Sequence, residues 1–303
     1  MGQMLIMDNN MRGVDSMGKY TLGLYEKSMP NTLSFAEKLL CAKECGFDYL
    51  EISIDETDEK LSRLDMTKEE RKYLVDVMAV CGLPIRTMCL SGHRKYPLGS
   101  IDEKIRAKGM EIMKKAIDLA DDLGIRVIQI AGYDVYYEEG NSETRKYFEE
   151  NLKKSAEMAA EKGVILAFET METEFMNTVE KAMEYVNLVN SPYLQIYPDC
   201  GNVTNAVLGC DMTASSDFKT GKGHLAAVHL KETVPGKFRE IPFGTGHVDF
   251  EDIIRTSWNL GVRRYTLEFW YVGNDDWKDV IKFNKKFMEE KFSSALKIEK
   301  MAV

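Results

Sequence analysis

The chain has 303 residues, with 49 acids against 40 bases and a formal net charge of −9. With 44% apolar and 29% charged residues it has the composition of an ordinary soluble globular protein, neither disordered nor fibrous. No apolar run reaches the ~18 residues of a membrane span, and a pI near 5.2 opposes a general nucleic-acid or anionic-membrane surface.

Residues 1–18 lack the basic-then-apolar order of a signal peptide and read as a flexible lead-in. The expected compartment is therefore the cytoplasm. Cys41, Cys45, Cys81, Cys89, Cys200 and Cys210 form no CxxC pair and read as reduced thiols, mostly packed in apolar surroundings. From residue 20 onward short β-rich runs alternate with amphipathic stretches. The expected strands are 20–25, 49–54, 84–91, 126–132, 164–170, 194–199, 225–230 and 264–270. The intervening helices fall at 34–46, 67–82, 102–124, 142–163, 176–190, weakly at 211–220, then at 249–261 and 275–296. Ser34 with Glu37, Thr67 with Glu70 and Asn177 with Glu180 have capping-box spacing. Gly46, Gly82, Gly124, Gly163 and Gly261 close helices where a left-handed residue is wanted.

Eight strands and eight helical segments over one chain predict an α/β protein with a single (β/α)8 TIM barrel, spanning 19–298. An open doubly wound sheet is disfavoured, because no GxGxxG follows the first strand and no Walker A motif is present.

A barrel of this kind carries its site at the C-terminal ends of the strands. There, four consecutive strands end in a metal-ligand type: Glu169, Asp199, His229 and Glu268, spaced by 30, 30 and 39 residues. Any one alone is more commonly a hydrogen-bonded barrel residue. Four on successive strands, each after an apolar run, need a compensating charge that a divalent cation would supply. Three carboxylates and an imidazole suit Mn²⁺, Zn²⁺, Co²⁺ or Mg²⁺ better than a thiolate-type zinc site. The free nitrogen of His229 should find an acceptor behind it, and Glu51 and Glu172 also stand near strand ends.

The segments GLYEK (23–27), EISIDETDEKLSRLD (51–65), SGHRKYPLGS (91–100), RVIQIAGYDVYY (126–137), YPDCGN (197–202) and IPFGTGHVDF (241–250) resemble the L-ribulose-5-phosphate 3-epimerases of L-ascorbate utilisation. These are xylose-isomerase-like barrels, and the resemblance runs from about Tyr20 to the last helix. It implies a metal held by Glu169, Asp199, His229 and Glu268, with Glu169 and Glu268 as the acid/base pair that epimerises a ketopentose 5-phosphate at carbon 3. Asp199 and His229 would only fix the metal. Many ketose 3-epimerases carry a His three residues after the metal Asp, where this chain has Asn202. A pentose phosphate also needs walls and donors. Tyr25 could wall the pocket, Glu172 and Asn202 could meet sugar hydroxyls, and Ser91, His93, Arg94 and Lys231 are the expected phosphate-side residues. Lys95, Lys237 and Arg239 are further basic candidates, and Gly244 and Gly246 could offer backbone N–H groups to an anion. The loop 132–140 could cover the site or pack at a subunit contact, and a homodimer stays open.

Other readings compete. A hexulose-6-phosphate isomerase could use the same metal and bases. An endonuclease-like phosphodiesterase would use more than four histidines and favour a basic face, and a non-catalytic sugar-binding barrel would not need two carboxylates flanking one metal. The expected partner is a small sugar phosphate, with no nucleic acid and no membrane.

Overall fold

The computed structural model describes residues 20–297; the expected lead-in, 1–18, lies outside the described residues. In chain order the elements are β1 (Thr21–Tyr25), α1 (Phe35–Glu44), β2 (Tyr49–Ile54), α2 (Asp58–Ser62), α3 (Lys68–Cys81), β3 (Ile85–Leu90), α4 (Glu103–Leu123), β4 (Val127–Ala131) and α5 (Ser142–Lys162). They continue with β5 (Ile165–Glu169), α6 (Val179–Val189), β6 (Leu194–Ile196), α7 (Cys200–Ala206), α8 (Ala214–Thr220), β7 (Val228–Leu230), α9 (Phe250–Asn259), β8 (Arg264–Leu267) and α10 (Trp277–Lys297).

The eight strands form one parallel sheet in the order β6-β5-β4-β3-β2-β1-β8-β7. Parallel bridges Ile196↔Leu225 and Asp199↔His229 join the two outer strands and close the barrel. All eight expected strands are present, but β6 and β8 stop short of the expected runs. At Pro198 the backbone has no N–H to give a ladder, and its carbonyl instead accepts His229 N–H at 3.0 Å. Asp199 then leaves the strand to cap α7, a helix that the sequence reading did not separate from the polar stretch.

The helix ends follow the expected chemistry with one correction. Ser34 and Thr67 form full capping boxes with Glu37 and Glu70. Asn177 does not cap: Thr178 does, accepting from Lys181 N–H. The reason is Asp217 on α8, whose carboxylate takes the Val179 and Glu180 N–H groups at 2.7 and 3.1 Å and sets the helix start one residue later.

The strands turn Leu22, Leu24, Leu50, Ile52, Met88, Ile128, Leu166 and Leu267 outward against the helices, all buried, while Val127, Ala167, Tyr197 and Ala227 pack in the barrel interior, and β2 and β5 are buried almost end to end as parallel strands require. One close approach depends on a missing side chain. A Cβ on Gly23 would sit 2.2 Å from the Tyr49 ring, so only glycine lets Tyr49 lie across β1 and donate to Tyr265 O. Among the described residues no helix is long and apolar enough to cross a membrane.

Candidate metal centre and active site

Each of the four strand-end residues reaches the barrel mouth by local geometry. Glu169 is the last residue of β5, His229 lies within β7, and Glu268 follows β8 directly. Asp199, at the head of α7, fixes itself by accepting Asn202 N–H at 2.8 Å through Oδ1. One ligand atom from each of these buried residues lies within 4.8 Å of all the others. His229 turns Nδ1 toward the carboxylates, 3.1 Å from Glu268 Oε2 and 4.0 Å from Glu169 Oε1. Behind it, Nε2 meets Glu51 Oε1 at 2.6 Å, and Glu51 Oε2 accepts from Tyr197 O–H at 3.0 Å. Glu51 is thus the acceptor expected behind the histidine. It holds the ring so that the other nitrogen faces the cluster.

The donor set fits a divalent cation. Three buried carboxylates face one another with Lys231 as the cation among them: its Nζ lies 2.8 Å from Asp199 Oδ2 and 3.7 Å from Glu268 Oε2. Lys231 Nζ also donates to Asn202 Oδ1 at 2.8 Å, and beyond the Lys231 ion pair Asp199 Oδ2 has no other hydrogen-bond partner. Three buried carboxylates and an imidazole converging on one point, with a single lysine against the three acids, form an oxygen-rich set that a hard cation would complete.

Charge crowding separates the carboxylates. Burial and the neighbouring Glu268 push the Glu169 carboxyl up to about 8. Burial also raises Asp199 to about 7, against the pull of Lys231. Glu268 is the exception: burial works against its charge, but Lys231 and His229 together outweigh it and hold the group well below the usual carboxylate range. His229 is held well above its ordinary value by Glu51 and Glu268, which overcome burial.

Through Glu169 and Glu268 the cluster opens into a narrow polar cleft with about 50 Å³ of open volume. Of the substrate-side residues expected from sequence, the structure brings Tyr25, Ser91, Arg94, Glu172, Asn202 and Lys231 into the lining of this cleft. His93 is not brought there. It sits in the single 3-10 turn Gly92–Arg94, which sends Arg94 toward the cleft and His93 the other way. There His93 Nε2 meets Gly109 O on α4 at 3.0 Å, and burial pulls its ring down to about 4. Lys95 is exposed near Asp58, and Lys237 does not line the cleft. The Gly244 amide of the FGTG loop is committed elsewhere. Gly244 and Val248 N–H groups donate to the buried Glu232 carboxylate at 3.0 and 3.2 Å, and a Cβ on Gly246 would meet Thr233 O at 2.1 Å. They hold the β7–α9 loop to itself. Tyr136, from the 132–140 loop, leans over the cleft and donates to Glu172 at 3.1 Å.

Several lining residues escaped the sequence reading: Lys27, Cys89, Met171, Phe238 and Trp270. Trp270 had a signal, since alternation places it on the same side as Glu268 two residues before. A roomier hollow of about 430 Å³ opens beside the cleft against Phe269, Trp270, Val280 and Phe283, but none of the four clustered residues reaches it. Glu169 and Glu268 line the smaller space instead.

Beside the cleft, one buried carboxylate ties the barrel mouth together. Glu26, immediately after β1, contacts Lys38 Nζ at 2.8 Å, Lys60 Nζ at 3.4 Å and the Arg63 guanidinium, and accepts Ser53 N–H at 2.6 Å. This fastens the end of β1 to the end of β2, next to Tyr25, whose O–H donates to Ser53 Oγ at 3.3 Å.

Residues 40–290 match the model of the xylose isomerase-like TIM barrel family. The chain is 48% identical over 250 residues to the L-ribulose-5-phosphate 3-epimerase UlaE of Shigella boydii serotype 18, covering 82% of this chain and 87% of that protein. The same identity and coverage hold for the protein of that name from Escherichia coli O139:H28. Among solved structures, a D-allulose 3-epimerase from Methylomonas sp. in complex with D-allulose superposes with a TM-score of 0.73 at 20% identity, over 90% of this chain and 97% of that one. A structure of L-ribulose 3-epimerase gives 0.73 at 18% identity, over 93% and 98%.

Proposed function

From the premise that this chain belongs to the xylose isomerase-like TIM barrel family, and within it to the L-ribulose-5-phosphate 3-epimerases, we propose that it interconverts L-ribulose 5-phosphate and L-xylulose 5-phosphate. It is an isomerase of the epimerase type. The reading assigns Glu169, Asp199, His229 and Glu268 to one divalent cation, and Glu169 and Glu268 also to proton transfer.

Inverting carbon 3 of a ketose means taking the proton next to the carbonyl from one face and returning a proton to the other. The intermediate carries negative charge on oxygens 2 and 3, and a divalent ion at these four residues would supply Lewis-acid stabilisation of that charge. Everything else falls to the chain. Two carboxyl groups must act on opposite faces, one in its basic form and one in its acidic form. Glu169 and Glu268 come from different strands and converge at the barrel mouth, which suits them to act from two sides of a bound sugar. One accepts as the other donates, and the roles reverse in the return direction. Lys231 and Asn202, joined at 2.8 Å, stand beside the pair where they can meet sugar hydroxyls, and Tyr25 and Trp270 wall the ring of the site against water. Ser91, Arg94 and Glu172 line the outer part of the cleft, toward the far end of the sugar.

The observation that carries this reading is the convergence of all four ligand atoms within 4.8 Å with two glutamates among them. Incubating Mn²⁺-supplied protein with L-ribulose 5-phosphate and identifying the product by NMR tests it. L-xylulose 5-phosphate is expected. An aldose 5-phosphate would instead place the chain with the aldose–ketose isomerases, and no conversion would reject both.

A further inference from the structure

Strand alternation puts the residue two before each clustered side chain on the same inward face, one layer deeper in the barrel. Those residues are Ala167 on β5, Tyr197 just after β6, Ala227 just before β7 and Thr266 on β8. Tyr197 packs there against Ala167, Ala227 and Val127. The two alanines leave room between their strands for one large ring, and Tyr197 fills it with no exposed surface. Its O–H donates to Glu51 Oε2 at 3.0 Å. A phenol has one proton to give, so the Thr266 hydroxyl, 2.5 Å away, is the donor to the Tyr197 oxygen. The Tyr49 hydroxyl lies 2.8 Å from Thr266 Oγ1 and continues the chain across the barrel.

Resting on the metal-site reading above, we propose that Tyr197 is a positioning residue for the metal ligands, holding His229 from below through Glu51. It touches the setting of all four. Its ring stands edge-on to the His229 ring, with 4.7 Å between centres and 70° between planes. Its backbone N–H donates at 2.7 Å to the carbonyl of Phe168, the residue before Glu169. Asp199 follows it by two residues, and Thr266, which meets its hydroxyl, stands two before Glu268. The restraint on Glu51 shows why the hydroxyl matters. Oε1 meets His229 Nε2 at 2.6 Å, and Oε2 has Tyr197 as its donor. No lysine or arginine among the described residues lies within ion-pair distance of Glu51, and the carboxylate is fully buried. Its orientation therefore rests on two side chains, the histidine it is to hold and the tyrosine that holds it. A carboxylate fixed at both oxygens keeps a ligating imidazole in one orientation; one fixed at a single oxygen turns with it. The sequence reading stopped at the strand ends, and this deeper layer comes from the structure.

Calorimetric titration of the full chain with Mn²⁺, at a temperature where each variant is folded, tests this. Tyr197→Phe keeps the ring and removes only the hydroxyl, and Mn²⁺ affinity should fall about 10- to 100-fold. Thr266→Val withdraws the donor to Tyr197 and should weaken Mn²⁺ about 2- to 10-fold, the loss of one neutral hydrogen bond, while Thr266→Ser should restore the affinity. The double variant Tyr197→Phe/Glu51→Gln separates positioning from packing. Residues that act through one another do not add, so the pair should bind Mn²⁺ within about twofold of Glu51→Gln alone. A Tyr197→Phe protein that melts lower but binds Mn²⁺ as the unaltered chain does overturns the proposal. So do losses that multiply in the double variant. If the double variant fails to fold, equal affinities in Thr266→Val and the unaltered chain overturn it. In each of these cases Mn²⁺ binding by the unaltered chain leaves the metal-site reading standing. Absence of Mn²⁺ binding by the unaltered chain rejects that reading, and the role of Tyr197 falls with it.

Discussion

Glu26→Gln removes one negative charge from a pocket that keeps three positive ones. The carboxylate is buried, and burial alone would raise its proton affinity; Arg63, Lys38 and Lys60 reverse this and hold it at about 2 against an ordinary 4.5. A difference of about 2.5 units corresponds to roughly 3 kcal/mol of preference for the charged form. Lys60 moves the other way, lowered mainly by burial and by its basic neighbours. The cluster therefore contains unresolved repulsion, and 3 kcal/mol is an upper figure for the intact group. Removing the only anion exposes that repulsion, and breaking a buried pair costs about 3–5 kcal/mol. The two routes meet near 3 kcal/mol. For a chain of this size that lowers the melting temperature by about 6–12 °C. The pH dependence has a fixed sign. Because the folded value lies below the unfolded one, the contribution is fully present above about pH 4.5 and is lost as pH falls toward about 2. Calorimetric melting of both proteins across this range is the assay. The gap between them should be full near neutrality and shrink below about pH 4.5. A melting temperature within about 2 °C of the unaltered protein near neutrality, or a gap that widens on acidification, would refute the reasoning.

Glu169→Gln and Glu268→Gln should each lower kcat by roughly 10²- to 10⁴-fold in steady-state assays, the range for loss of a general acid or base; a variant with wild-type kcat leaves the pair. Adding Mn²⁺ at about 100 times its dissociation constant should stabilise the chain by about 2.7 kcal/mol in thermal melts, and Asp199→Asn should abolish most of that shift. Glu51→Gln keeps the shape but weakens the hold on His229, so calorimetry should show Mn²⁺ affinity reduced about 10- to 100-fold.

Much of the barrel and its floor was legible because both follow from repetition. One β/α unit per 30 or so residues placed Glu169, Asp199, His229 and Glu268 at corresponding strand ends, and closure of the barrel brought them together. What repetition cannot reveal is direction within a single turn. His93 and Arg94 are adjacent, and only the 3-10 turn after β3 decides that one faces α4 and the other the cleft. Asn177 and Thr178 were equally good caps until Asp217, 40 residues from the first of them, claimed the helix N–H groups. The Glu26 cluster joins residues 12, 34 and 37 positions apart. Its one local sign was Lys38, a charge on the buried face of α1 beside Leu39 and Ala42. The FGTG loop shows the reverse: the Gly244 amide, with that of Val248 just beyond the motif, serves the chain's own buried Glu232 carboxylate.

The central claim is that this cluster removes and returns the proton at carbon 3. It is tested most directly by incubating Mn²⁺-supplied protein with L-ribulose 5-phosphate in D₂O and following carbon 3 by NMR. Deuterium should enter at carbon 3 of both the recovered L-ribulose 5-phosphate and the L-xylulose 5-phosphate formed. Retention of the original hydrogen at carbon 3, or exchange confined to carbon 1, would contradict the account.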